Sequence, residues 1–301
     1  MVFRGKRRPT PVIALHGGPG TPGDGIDDMD RALAADGFDV YEYDQLGAGR
    51  STRLADPTGY TVARHVADLE AVRQAIGAER VILVGASWGA TLAAHYLAAH
   101  PDRVARVVFT SPGALWEGAF PDGKTGDIWD KLTPAQEDEI DALAYRPRFL
   151  AATLLQAINP RAAHALLTDA EADQMLRQIL ETAAPAAQYP GAPPLTAPAN
   201  APGFWVNQFT STDAETVADP RPALRAVHVP ALVVRAEGDY KKWAVTYDYR
   251  RTLPDATLVY VEGAGHAVAS DKPALYQGLV RAFLLGEPLP LPAWESADPP
   301  R

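Results

Sequence analysis

The stretch that most constrains this chain is Val81–Gly89, V-I-L-V-G-A-S-W-G. Four apolar residues, three of them β-branched, run into Gly85-Ala86-Ser87-Trp88-Gly89, and an alanine-rich, helix-like segment follows. A buried strand ends here and a helix begins, with one serine on the sharp turn between them. Such a turn pushes the serine oxygen beyond the edge of a sheet, where it can attack a carbonyl. The flanking glycines mark places where neighbouring elements pass too close for a Cβ. A serine so placed needs a base, an oxyanion hole and a pocket from the rest of the chain.

The segments before and after it alternate in type. Pro11–Leu15 reads as a short buried strand and runs into His16-Gly17-Gly18-Pro19-Gly20, a tight loop whose N–H groups can face a ligand. Asp27–Asp36 carries Met29 and Leu33 on one face and reads as a helix closed by Gly37. Phe38–Tyr43 alternates as a strand does, and the glycine-rich loop Asp44–Ser51 follows. That loop lacks the helix and acidic partner of a dinucleotide site. Thr61–Ile76 is helical and is stopped by Gly77; Trp88–Ala99 is the next helix and Val104–Phe109 the next strand. The order β-α-β-α-β-α-β predicts a parallel sheet with right-handed crossovers.

After Ser111-Pro112-Gly113 the rhythm breaks. Helix-like segments Pro134–Leu143, Arg148–Ala157 and Asp169–Ala183 follow, the first and third capped by Thr133 and Thr168. The proline-rich Pro185–Pro202 cannot be regular structure and is long enough to be a mobile flap or a linker. Residues 113–219 therefore read as an inserted helical cap, and 1–112 with 220–301 as the core domain. The cap's aromatic residues, Trp116, Phe120, Trp129, Phe149, Phe204, Trp205 and Phe209, read mostly as its own core, with a minority facing a ligand. The sheet resumes at Val229–Arg235 and Thr257–Val261, each followed by a helix, Trp243–Leu253 and Pro273–Leu285.

Composition narrows the partners. A chain of 301 residues can bury about three quarters of its unfolded surface, enough for one large α/β domain with an insertion. A net charge of −9 argues against a nucleic-acid partner, which would need a basic face. Arg4, Lys6, Arg7 and Arg8 read as a solvated arm. With no cysteine there is no disulfide, thiolate nucleophile or Cys-ligated metal. No apolar run follows the basic N-terminus and no window reaches membrane-spanning length, so a soluble cytoplasmic protein without a membrane partner is expected.

A serine hydroxyl is a weak nucleophile until a base accepts its proton and a carboxylate orients that base. Of seven histidines, His266 alone directly follows a late strand, in a Gly-x-Gly-His turn. An elbow of this kind places the acid between serine and histidine in sequence. Asp239, just past the Val229–Arg235 strand, fits; Glu237 and Asp248 are the runners-up. Three strand ends then deliver Ser87, Asp239 and His266 to one sheet edge, where open parallel sheets bind ligands. An oxyanion hole needs two backbone N–H groups. One is expected from Trp88, at the helix N-terminus, and the other from Gly17 or Gly18.

Together, His16-Gly17-Gly18-Pro19-Gly20, Asp44-Gln45-x-Gly47-x-Gly49-x-Ser51 and Gly85-x-Ser87-Trp88-Gly89 resemble the prolyl iminopeptidase group of α/β-hydrolases. The resemblance implies an α/β-hydrolase fold with a mostly parallel sheet and a helical cap. It implies release of N-terminal proline by acyl transfer through the serine, without metal or cofactor, and a cap that carries specificity. Three departures stand out. Leu46 occupies the position of the family's arginine. The family's Trp-x-x-Trp-Glu stretch, whose acid helps bind the substrate ammonium, is nearest to Phe204-Trp205-Val206-Asn207-Gln208, which has no acid. Phe204 and Trp205 are then the expected substrate-binding residues. About ten residues precede the first strand, too few for the family's two N-terminal strands. Phe38–Tyr43 would lie at a bare sheet edge, which invites a homodimer.

The expected function is hydrolysis of a small amide or ester, peptide or otherwise. Iminopeptidase activity competes with an esterase, lactonase or amidase acting on a particular metabolite. A lyase, a cyclase or a binding module on the same scaffold is the more distant alternative.

Overall fold

Apolar runs bounded by glycine and proline build the sheet. The computed structural model describes residues 1–23, 27–120, 125–195 and 200–300. Its strands are β1 (Val2–Phe3), β2 (Val12–Leu15), β3 (Val40–Glu42), β4 (Val81–Ala86), β5 (Val104–Thr110), β6 (Ala231–Gly238) and β7 (Ala256–Gly265). They lie in the order β1-β3-β2-β4-β5-β6-β7, and all neighbours are parallel except β1 and β3. Around them stand α1 (Asp27–Ala35), α2 (Val62–Ile76), α3 (Trp88–Ala99), α10 (Trp243–Thr252), α11 (Val268–Asp271) and α12 (Pro273–Leu285). Between β5 and β6 come α4 (Pro134–Ala144), α5 (Pro147–Leu155), α6 (Pro160–Leu166), α7 (Asp169–Ala183), α8 (Phe204–Ala214) and the short α9 (Arg221–Leu224).

The central strands are apolar throughout because both sheet faces are covered. Side chains alternate along a strand. Ile13, Leu15 and Leu83 join the cluster with Trp88, Leu92, Tyr96 and Tyr249. Val12, Ile82 and Val84 join the opposite cluster with Met29, Leu33, Tyr276 and Leu279. Each fully buried leucine contributes about 1.5–3 kcal/mol relative to exposure. Thr61 caps α2 by accepting from the Arg64 N–H, and Gly77, at φ 76°, ends it.

The connectivity locates the functional edge. From β2 the chain moves outward to β3, then returns across β2 to β4, and later strands add on that other side. The switch point lies between β2 and β4, where such sheets hold ligands beyond the strands' carboxyl ends.

Two expectations need correcting. β3 is not the edge: β1 pairs antiparallel with it, Val2 opposite Tyr41 and Phe3 opposite Val40, and the Met1 ammonium donates to the Glu42 carbonyl. A two-residue strand has too little pattern to be read from sequence, yet it covers the edge offered for dimerisation. The described part of Pro185–Pro202 is no free linker either; residues 196–199 lie outside the described residues, as do 121–124. The Gly49 N–H donates to Ala201 O (2.9 Å), Gly203 to Gly20 O (2.7 Å), Ala267 to Ala187 O (3.0 Å) and Tyr189 to Asp271 Oδ2 (2.8 Å). Irregular backbone here spends its donors and acceptors on the core instead of on itself.

The helices between β5 and β6 share an apolar cluster of Ile140, Phe149, Leu176, Ile179, Phe204 and Trp205, which Tyr60 of the core segment joins. No helix among the described residues is long and apolar enough to cross a membrane.

Candidate active site

Strand register assembles the site. Leu15 of β2 pairs with Gly85 of β4, so two residues further on Gly17 and Ser87 come side by side. A Cβ on Gly17 would lie 3.4 Å from the Ser87 Cβ and 4.0 Å from its Oγ. Gly85 and Gly89 make the turn possible: a Cβ on Gly85 would meet Gly89 O at 2.4 Å, and one on Gly89 would meet Leu15 O at 2.1 Å. Ser87 sits between them at φ 54°, ψ −119°, a conformation that costs of order 1–3 kcal/mol for a non-glycine residue. It is held by its N–H to Thr110 O (2.9 Å) and by its carbonyl, which accepts from Ala90 (3.0 Å) and Gly113 (3.3 Å).

The same device works on the other side of the sheet. Gly238 of β6 pairs with Gly265 of β7, and the next residue on each strand is Asp239 and His266. Residues 187–189 cross these glycines: a Cβ on Gly265 would lie 2.6 Å from Ala187 O, and one on Gly238 3.1 Å from Tyr189 Cδ2. His266 Nδ1 donates to Asp239 Oδ1 at 2.7 Å. A carboxylate only accepts, so Nδ1 carries the proton and Nε2 is the open acceptor. The Lys241 N–H donates to the same oxygen at 3.0 Å. The Arg235 guanidinium lies 3.4 Å from Oδ2, and the Asp239 side chain is fully buried. Burial opposes ionisation of Asp239, but the pull of His266, Arg235 and the Lys241 N–H outweighs it and holds the carboxyl below its usual range. The runners-up are placed elsewhere. Glu237 accepts from the Gly263 N–H (2.7 Å), and Asp248 is buried in α10 against Arg251 (2.7 Å).

The residues expected to form an oxyanion hole converge beside Ser87. Among the described residues, the N–H groups of Gly17, Gly18 and Trp88 donate to no other protein group. Gln45 ties them together: its amide donates to His16 O (2.9 Å) and accepts from Trp88 Nε1 (2.9 Å). The Gln45 backbone N–H donates to His16 Nε2 at 2.9 Å, which requires a neutral ring whose Nδ1–H faces Gly17 O. Burial pushes the His16 pKa down, in keeping with that neutral form. Gln45 was visible only as part of the Asp44-Gln45-x-Gly47 motif; its bridge of 43 residues in sequence was not.

Tyr240, also missed from sequence, packs on the histidine of the site. Its ring stacks on His266, centroids 4.0 Å apart and planes 24° apart. A cavity of about 630 Å³ opens beside these groups, lined among others by His16, Gly17, Ala86, His266, Val268 and Tyr276; Ser87 is not part of its wall.

Phe204 and Trp205 do not face this space. They are 3% and 1% exposed, packed on each other (5.0 Å) inside the apolar cluster of the helices between β5 and β6, and the Trp205 indole donates to Leu167 O at 3.2 Å. They start helix α8, and its period turns them into the buried cluster of these helices. What α8 presents to the glycine loop is Asn207, whose amide donates to Pro19 O at 2.9 Å. Among the described residues, no group of three or more His, Asp or Glu side chains is placed to hold a metal ion.

Comparison with known proteins agrees with this architecture. Residues 10–273 match the family described as the α/β-hydrolase fold. A proline iminopeptidase of Heyndrickxia coagulans is 45% identical over 111 residues, 36% of this chain and 38% of that one. A proline iminopeptidase of Lactobacillus delbrueckii subsp. bulgaricus is 27% identical over 290 residues, 92% of this chain and 90% of that one. Among solved structures, the proline iminopeptidase of Mycobacterium smegmatis superposes with a TM-score of 0.62 at 23% identity, covering 95% of this chain and 93% of its own. A thermophilic esterase from Thermogutta terrifontis gives 0.58 at 20% identity, covering 92% and 90%. The chain therefore belongs to the α/β-hydrolase fold family and is similar, within it, to proline iminopeptidases.

Proposed function

We propose that the chain is a serine hydrolase that cleaves a small amide or ester through an acyl-enzyme. The observations that carry the reading are the His266–Asp239 bond of 2.7 Å and a serine held at φ 54° at the carboxyl end of the same parallel sheet. In this reading His266 Nε2 takes the Ser87 proton as Oγ bonds to the substrate carbonyl carbon. The resulting oxyanion is met by the N–H of Trp88 and that of Gly17 or Gly18. His266 returns the proton to the departing amine or alcohol, and water then repeats the sequence to free the acid. Asp239 keeps the imidazole in the required tautomer and offsets its positive charge.

Release of N-terminal proline is the first substrate reading, supported by the proline iminopeptidases that the chain resembles over its length. One observation favours a second. The position nearest the family's ammonium-binding acid is occupied by Asn207 and Gln208, so a desolvated amine lacks its charge partner there. An esterase, lactonase or amidase for an uncharged metabolite needs no such partner. Proline p-nitroanilide, short acyl p-nitrophenyl esters and simple lactones assayed side by side separate the two. A preference for the anilide in kcat/KM supports the peptidase, and a preference for esters or lactones overturns it.

The substrate is then a small molecule or short peptide, with neither nucleic acid nor membrane as partner. We further propose a cytoplasmic enzyme, which cell fractionation with an activity assay checks.

A further inference from the structure

We propose that Asn207 is a positioning residue for the oxyanion hole: through it helix α8 fixes the glycine loop whose Gly17 and Gly18 N–H groups meet the developing charge. This rests on the serine-hydrolase reading above. The loop has little of its own to hold its shape. Three of its five residues are glycine, and Gly18 and Gly20 lie at φ 113° and 77°. Within it the Thr21 N–H donates to Gly17 O at 3.3 Å. Gln45 holds the entrance through the His16 carbonyl. Helix α8 holds the exit. Asn207 Nδ2 donates to Pro19 O at 2.9 Å, and the Gly203 N–H donates to Gly20 O at 2.7 Å. The approach leaves no slack: a Cβ on Gly20 would fall 2.6 Å from both Gly203 O and Val206 Cγ1, and one on Gly203 would run into Gly47 O.

The anchor is itself fixed. The Phe204 N–H, at the start of α8, donates to Asp173 Oδ1 of α7 at 2.8 Å, and the other oxygen of that buried carboxylate binds Arg53 Nη2 at 2.8 Å. Asn207 lies in the first turn of α8, its own N–H donating to Gly203 O at 3.1 Å. Its Oδ1 accepts from Gln208 Nε2 at 3.1 Å, which fixes the amide with its nitrogen towards Pro19. A carboxylate at this position would have no hydrogen to give to a carbonyl. An oxyanion hole is effective because its donors are in place before charge develops, and a loop free to shift has to be reordered at that moment. Asn207 donates to the loop and not to the reacting atoms, so its loss is expected in kcat and not in KM.

The test compares the full chain with Asn207→Ala and Asn207→Asp. It measures turnover of a short acyl p-nitrophenyl ester and binding of an alkyl trifluoromethyl ketone, whose adduct with the serine carries an oxyanion. Asn207→Asp keeps the shape and the acceptor for Gln208 but sets a carboxylate against Pro19 O. We expect kcat about tenfold lower in both variants, KM within about twofold of wild type and ketone binding about tenfold weaker, less than the hundredfold or so lost with a whole oxyanion donor. Urea unfolding shows that each variant is folded, and the isosteric Asn207→Asp carries the test if Asn207→Ala is not. Wild-type kcat and ketone affinity overturn the proposal. A raised KM at unchanged kcat overturns it too, because Asn207 then binds substrate. A lowered kcat with ketone affinity unchanged overturns the oxyanion role. Each of these results leaves the serine mechanism intact. Turnover that survives Ser87→Ala overturns the parent reading and this one with it.

Discussion

Acid should destabilise this protein through a histidine outside the reaction. His65 on α2 is 1% exposed; its Nε2 lies 3.2 Å from Thr210 Oγ1 of α8, and its ring meets Trp88 of α3 edge-on at 5.7 Å. It therefore joins α2 and α3 to α8. Burial lowers its pKa from 6.5 to about 4, helped by His16 and Arg64. The folded state keeps the ring neutral until pH falls to about 4, while the unfolded chain takes up the proton from about pH 6.5. Between those values the unfolded state binds more protons. The contribution is present in full above pH 6.5, declines as pH falls through the window and is lost near pH 4. The gap from 6.5 to about 4, at about 1.4 kcal/mol per pH unit, corresponds to about 3 kcal/mol. His95 is lowered to about 4 by burial as well and adds a similar slope. His65→Gln keeps an amide near Thr210 and removes the titration. Urea unfolding followed by tryptophan fluorescence at intervals from pH 7.5 to 4 should show the variant losing about 3 kcal/mol less than wild type. Parallel stability curves for the two proteins would refute the reasoning.

Further predictions address the bracing of the site. Gly89→Ala drives a Cβ into the Leu15 carbonyl, backbone against backbone, and should lower stability by about 2 kcal/mol or more; an unchanged urea midpoint contradicts the close approach. Gln45→Ala leaves the Trp88 indole and the His16 carbonyl without their partners, at about 1–3 kcal/mol. It should lower kcat about tenfold, read with a p-nitrophenyl ester, and wild-type kcat would show that the glycine loop needs no such tie. Asp271→Ala frees the N–H groups of Gly265 and Tyr189, which now donate to Oδ2 at 2.7 and 2.8 Å. Its kcat should fall several-fold as the His266 turn loosens, and a change under twofold would remove Asp271 from the account.

Legibility in the sequence followed the range of the interactions. The elbow, the glycine loop, the parallel order and the capped helices α4 and α7 were readable because local sterics and period dictate them. Asp239 and His266 were readable because each stands one residue past a strand that had to end. The bridge from Gln45 to Trp88, the reach of Asp271 to Tyr189 and the stack of Tyr240 on His266 link residues placed together only by the sheet register. Helix α6 has only seven residues, P-R-A-A-H-A-L, and α8 crowds Phe204, Trp205 and Val206 at its start, so neither shows a clean amphipathic stripe. The aromatic pair was therefore read as a ligand surface when tertiary packing had made it core.

The central claim is that Ser87 forms the covalent intermediate. A fluorophosphonate probe, intact mass and peptide mapping test it directly. The account predicts one adduct, on the peptide containing Ser87, with labelling abolished in Ser87→Ala and turnover of the best ester in that variant lowered about 10⁴-fold or more. An adduct on another residue, or a Ser87→Ala protein that still turns over at the wild-type rate, would contradict it.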